Sequence, residues 1–133
     1  MSANSVPRFA EEIKTWKTQV SVANANISGN TGTLSTLVTG KINEGSKVDY
    51  FLFQAQSATQ VNRIRLYLFT SNSTPHLFKE IQVTSASAHD AQVTMWSGSY
   101  TPAVPIFVPS EWTLQVSIDS ANTINVFAFG GNY

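Results

Sequence analysis

The sequence predicts an all-β protein, an antiparallel β-sandwich of jelly-roll type with about eight strands and a short N-terminal helix or arm. Three observations carry that expectation. From about residue 18 onward hydrophobicity alternates with a period of two, in short runs rich in β-branched and aromatic residues. Those runs are separated by clusters of Gly, Asn, Ser and Pro, and only one segment, near the N-terminus, carries helical spacing. A chain of 133 residues is long enough for one hydrophobic core and too short for two, so the expected plan is an arm over 1–18 and a sandwich over 19–133.

The helical segment places Phe9, Ile13 and Trp16 at i, i+4 and i+7, on one face. Ser5 can cap it, Pro7 suits a first turn, Glu11 and Glu12 come early and Lys14 and Lys17 late, as the helix dipole prefers. About ten residues make a marginal helix alone. Its apolar face must dock, either on this domain's own core or on a neighbouring molecule.

Strands are expected over 19–27, 33–39, 47–54, 61–69, 77–84, 92–96, 105–108, 112–118 and 124–129. The clearest is 112–118, where Trp112, Leu114, Val116 and Ile118 share one face and Thr113, Gln115 and Ser117 the other. In 61–69, Ile64, Leu66 and Leu68 oppose Arg63, Arg65, Tyr67 and Phe69, so the second face is not simply a wet one. With 77–84 this strand should form a hairpin across a loop containing Pro75 and His76. Pro102, Pro105 and Pro109 confine the run at 105–108 to a sheet edge or a loop.

Composition narrows function. Eight basic and eight acidic side chains give zero formal charge, which removes the field that draws proteins to phosphate backbones or anionic lipid; neither nucleic acid nor membrane is an expected partner. Charged residues are 12% of the chain, about half the usual share, whereas roughly 30 positions are Ser or Thr. The absence of Cys excludes disulfides, thiolate nucleophiles and Cys-containing zinc sites. No basic stretch leads into an apolar run of signal-peptide length, and no window reaches the ~18 apolar residues of a membrane span, so a soluble product is expected.

Catalytic constellations are hard to assemble from these residues. His89 and Asp90 are adjacent, and neighbours in an extended chain point apart. His76 falls in the expected hairpin loop. No spacing selects two of Glu44, Asp49, Glu80, Asp90, Glu111 and Asp119 as a glycosidase pair, and no acid-rich loop suits calcium. Gly29-Asn30-Thr31-Gly32 lacks the lysine and the strand-to-helix context of a phosphate loop and reads as a turn. The expectation is a non-enzymatic protein with no cofactor and no metal.

Aromatic residues are the abundant resource: eight Phe, four Tyr and three Trp. Tyr50, Phe51 and Phe53 put rings on both faces of one strand. Tyr67 and Phe69 oppose Leu66 and Leu68, and Phe127 and Phe129 oppose Val126 and Ala128. Strands apolar on both faces are covered on both, by another subunit or by other parts of the same chain. A second use of such rings is stacking on sugars, for which Trp96, Tyr100 and Trp112 are the first candidates.

Two stretches carry a resemblance. One is Asn62-Arg-Ile-Arg-Leu-Tyr-Leu-Phe, a polar loop, then Leu77-Phe-Lys-Glu-Ile-Gln-Val-Thr. The other is Glu111-Trp-Thr-Leu-Gln-Val-Ser-Ile, a turn, and Ala121-Asn-Thr-Ile-Asn-Val-Phe-Ala-Phe-Gly-Gly-Asn-Tyr. Over 36–133 the chain resembles small virion proteins of tailed bacteriophages and prophages, with their leucine-rich hairpin, Pro-bounded loop and closing Asn-Val-x-Ala-x-Gly-Gly-Asp/Asn-Tyr. The resemblance implies a structural component of a phage particle, a cement or decoration protein on the capsid exterior, made in the host bacterial cytoplasm. Its partners would be the major capsid protein and further copies of itself, as a homotrimer. The contact residues this reading selects are Phe9, Ile13 and Trp16 in the arm, Arg63, Arg65, Tyr67 and Phe69 on the second strand face, and Tyr133 at the closing tail. A tail-associated, receptor-binding or carbohydrate-binding module is the alternative.

Overall fold

The computed structural model describes residues 11–86 and 94–133, and nine strands lie within them. They are β1 (Glu12–Val20), β2 (Ser35–Thr39), β3 (Ser46–Ala55), β4 (Asn62–Phe69), β5 (Pro75–Val83), β6 (Ser97–Tyr100), β7 (Ile106–Val108), β8 (Thr113–Ile118) and β9 (Ile124–Asn132). The first sheet has the order β1-β9-β3-β6, with β7 also paired to β3, and the second has the order β2-β8-β4-β5. Every strand pair is antiparallel. Two four-strand paths in these orders, with most connections crossing between the sheets and β4–β5 a hairpin within one, make the double Greek key of a jelly roll.

The core is the layer between the sheets. Val48, Phe51, Phe53, Val126 and Ala128 of the first sheet meet Val38, Ile64, Leu66, Leu114, Val116 and Ile118 of the second, all essentially without solvent exposure. The alternation seen in 112–118 is the reason β8 is legible, since each inward residue lies two positions from the next. Trp16, Trp96, Tyr100 and Trp112 pack against the rim of this core, with Tyr100 stacked on Phe51 at 5.7 Å. Three of these are the rings expected on a sugar-binding surface; they serve the core instead.

The N-terminal segment departs from expectation. Residues 12–20 are strand rather than helix, paired over their whole length with β9, and the strand runs through the boundary expected at residue 18. Trp16 and Val20 therefore point inward, whereas Ile13 lies on the opposite face and is 93% exposed, so the face that a helix would have given Ile13 and Trp16 does not exist. A nine-residue ladder outweighs the weak propensity of a short helix. Phe9 lies outside the described residues.

The strand expected over 19–27 is consequently displaced, and 21–34 is a long connection laid across the outer face of the second sheet. Asn24 organises it. Its backbone amide donates to the Ile118 carbonyl at 2.7 Å, and its side-chain amide donates to the carbonyls of Thr31 and Thr33 at 3.2 and 3.0 Å. Gly29-Asn30-Thr31-Gly32 is a turn inside this connection, and both glycines have positive φ. The strand expected over 92–96 is also displaced: β6 begins at Ser97, and positions 94–96 are not strand.

Candidate functional site

Each sheet has an outer face, and the two are treated differently by the chain. On the second sheet Arg65, Tyr67 and Phe69 are all buried. Tyr67 lies beneath the 21–34 connection, its hydroxyl within 3.1 and 2.9 Å of the Asn26 and Ile27 carbonyl oxygens and its ring against Gly29. Phe69 stands edge-on to it at 6.3 Å. Burial pushes the Tyr67 phenol above the ordinary tyrosine value. These two rings are thus covered within the chain, which corrects the expectation that they present a free second face to a partner.

Arg63 and Arg65 belong to an ion cluster. Arg65, 1% exposed, bonds through Nη1 to the Asp119 carboxylate, and its Nε is 3.7 Å from Glu80. Arg63 Nε donates to Asp119 at 3.1 Å, and its Nη1 lies 3.8 Å from Glu80. Two cations and two carboxylates neutralise one another, so Arg65 is committed to this chain's own acids rather than open to a partner's. Arg63, half exposed, lines a shallow depression with Val61, Asn62, Gln82, Asp119 and Ser120.

The outer face of the first sheet has no such cover among the described residues. Pairing registers place four rows across it. Ile13, Gly131, Lys47 and Phe107 form the first, Thr15, Phe129 and Tyr50 the second, Lys17, Phe127 and Leu52 the third, and Gln19, Asn125 and Gln54 the fourth. The rows grade from a more apolar one, in which Ile13 and Phe107 flank Lys47, through rings in the middle, to amides at the other end. Phe129 lies 5.9 Å from Tyr50 and 6.5 Å from Phe127, with the two Phe planes within 19° of parallel.

The apolar end is the most exposed. Phe107 is 50% exposed, meets the Tyr133 ring at 5.9 Å and lies against Gly45. Ile42, in the neighbouring turn 41–44, is exposed as well. Lys41 holds the tail in place: its Nζ donates to the Tyr133 carbonyl oxygen at 3.3 Å while pairing with Glu44 at 3.1 Å. That carboxylate, hydrogen-bonded to it, keeps the ammonium above the usual lysine range. Of the residues selected from the sequence, Ile13 and Tyr133 lie at this end of the sheet, Ile13 opposite Gly131 and Tyr133 against Phe107. Trp16, Arg65, Tyr67 and Phe69 do not join them.

Sequence reasoning missed Phe107, whose only signal was its place in a Pro-bounded edge strand, and the amide row, which has no local signal. His89 and Asp90 lie outside the described residues. His76 is on β5, opposite Leu68, rather than in the hairpin loop. Among the described residues no three His, Asp or Glu side chains gather as a metal site would require, and Asp119 and Glu80 are engaged by arginines. The face can bind by area and by hydrogen bonding.

No protein-family model matches the chain, and neither does any curated protein sequence.

Proposed function

We propose that this chain is a non-enzymatic structural protein of a bacteriophage particle, a cement or decoration protein that binds the shell of major capsid protein from outside. The single observation that carries the reading is the more apolar end of the first sheet's outer face, where Ile13, Ile42 and Phe107 lie exposed around a two-glycine stretch of β9. Among the described residues a 14-residue connection covers Tyr67 on one sheet while Ile13, Ile42 and Phe107 at this end of the other stay exposed, which is the pattern of a surface held for a partner. The jelly roll and the likeness of 36–133 to phage virion proteins support the same reading.

The mechanism is burial of apolar area at seams of the lattice. Each ~100 Å² of apolar surface covered contributes about 2.5 kcal/mol before association costs, and repetition over the shell multiplies a weak single contact. Zero net charge sets no long-range barrier to packing of copies, in keeping with a trimer about a symmetry axis.

Purified virions test this. Hundreds of copies relative to the major shell protein, imaged over the capsid surface, are expected. A few copies confined to the tail would overturn the capsid assignment in favour of a receptor-binding role.

A further inference from the structure

The amide end of the uncovered face is a different kind of surface. A depression of about 370 Å³ opens there, lined by Lys17, Thr18, Gln19, Asn125 and Phe127. Gln19 Nε2 donates to Gln56 Oε1 and to Asn125 Oδ1, both at 2.9 Å, and Asn125 Nδ2 donates to Gln56 Oε1 at 3.0 Å. The three amides fix one another's orientation, which lowers the ordering cost of using them. The ring of bonds leaves Gln19 Oε1 as an acceptor and Gln56 Nε2 as a donor, both turned to no neighbour among the described residues.

The next row supplies a ring. Phe127 adjoins Asn125 on β9, Lys17 faces it across β1, and the nearly parallel Phe129 extends the strip toward Tyr50. From Asn125 to Phe129 the strip is about 13 Å long at the usual strand rise, room for two or three linked pyranoses. The geometry points to a binding site for a neutral oligosaccharide, with the C–H face of one sugar on Phe127 and a vicinal diol of its neighbour on the Gln19, Gln56 and Asn125 amides.

The ligand class follows from what the lining contains and lacks. A hydroxyl is donor and acceptor at once, and so is an amide, so a diol satisfies both open positions of the triad together. A phosphorylated ligand would call for more cation than Lys17 alone. A peptide adding as a strand would pair along the open edge of β1 through backbone groups, whereas the amide triad and Phe127 stand on the face of the sheet and offer side-chain groups. Among the described residues the lining is one cation, a hydroxyl, two amides and a ring, a set suited to holding a sugar.

Two-dimensional ¹⁵N NMR of the full chain, titrated separately with maltohexaose, cellohexaose, chitohexaose and mannohexaose, reads the site directly. At least one sugar should shift the side-chain amides of Gln19, Gln56 and Asn125 and the backbone signals around Lys17 and Phe127. Asn125→Ala and Phe127→Ala should each weaken that binding at least tenfold, while Ile13→Asp at the opposite end leaves it unchanged. Gln19→Ala, on an exposed side chain, serves if the Phe127 variant fails to fold. No perturbation by any of the four sugars, or binding that survives loss of Asn125 and Gln19, overturns the proposal. Neither result bears on copy number in the virion, so this inference and the capsid reading fail separately.

Discussion

Arg65 and Asp119 are joined by a charge-assisted hydrogen bond at a place where the arginine side chain is 1% exposed and the aspartate 17%. The register sets this up, because Arg65 pairs with Ser117 on β8 and Asp119, two positions on, immediately follows that strand's end. The Asp119 backbone amide also donates to the Arg63 carbonyl at 3.1 Å, which holds the carboxylate in reach of both arginines.

Removing one partner of this pair should therefore be costly. Asp119→Ala leaves a buried guanidinium with only the more distant Glu80, and a loss of about 3 kcal/mol is expected in urea unfolding. Arg63→Ala, at a half-exposed position, should cost under ~1 kcal/mol. Equal losses for the two variants would show that burial does not separate them.

Tyr67 makes stability sensitive to alkali. Its phenol titrates above the ordinary 10.0 in the folded chain because burial penalises the charged form. The unfolded chain thus loses this proton first as pH rises. The contribution is complete below pH 10.0 and disappears as pH climbs from there through the folded value. Denaturation midpoints measured across that window should fall more steeply for the native chain than for Tyr67→Phe. The same variant should lose about 1 kcal/mol at neutral pH, since the Asn26 and Ile27 carbonyls lose their donor.

Gly29 and Gly130 are sites where any side chain should be harmful. A Cβ at Gly29 would stand 2.7 Å from the Tyr67 ring, at a φ of +79°. A Cβ at Gly130 would stand 2.0 Å from the Lys47 carbonyl oxygen, beside the bulge between Val48 and Tyr50. Gly29→Ala should destabilise by about 1–3 kcal/mol. Gly130→Ala should cost more, because backbone must move to admit it, and thermal unfolding of the two variants ranks them.

Ile13 and Trp16 should part company under mutation. Ile13→Asp changes a nearly fully exposed position and should alter stability by less than ~0.5 kcal/mol. Trp16→Ala strips a ring from the core rim, at a cost of about 2–4 kcal/mol. Under the proposed capsid role, Ile13→Asp and Phe107→Asp should fold normally and be under-represented on purified virions.

The sandwich was legible where alternation is carried by side chains, as in Leu114, Val116 and Ile118. It was illegible where backbone pairing alone makes the strand. Ser97 to Tyr100 shows no apolar alternation and is a strand because Phe51 to Gln54 lie alongside it. Gly130 and Gly131 extend β9 past its apparent end for the same reason. The Phe9, Ile13 and Trp16 spacing misled because two periods fit so short a segment, and β9 had an open edge to fill. Asn24 interrupts what reads as a strand after Val20 by turning its side chain onto its own connection, a competition that composition alone does not announce. Of the binding face, the rings of Phe127 and Phe129 were visible as an excess, but the Gln19, Gln56 and Asn125 amides stand 37 to 106 residues apart and are neighbours only through topology.

The place of β9 between β1 and β3 has a kinetic consequence. The first sheet cannot close until residues 124–132 have been made, more than a hundred positions after β1. Until then both partners wait with unpaired edges, and pairings of such long sequence separation form slowly, on the order of milliseconds to seconds. The growing chain is therefore most prone to sticking to its neighbours just before its last strand arrives, and slowing synthesis or raising expression should lower the yield of folded protein without changing its final stability.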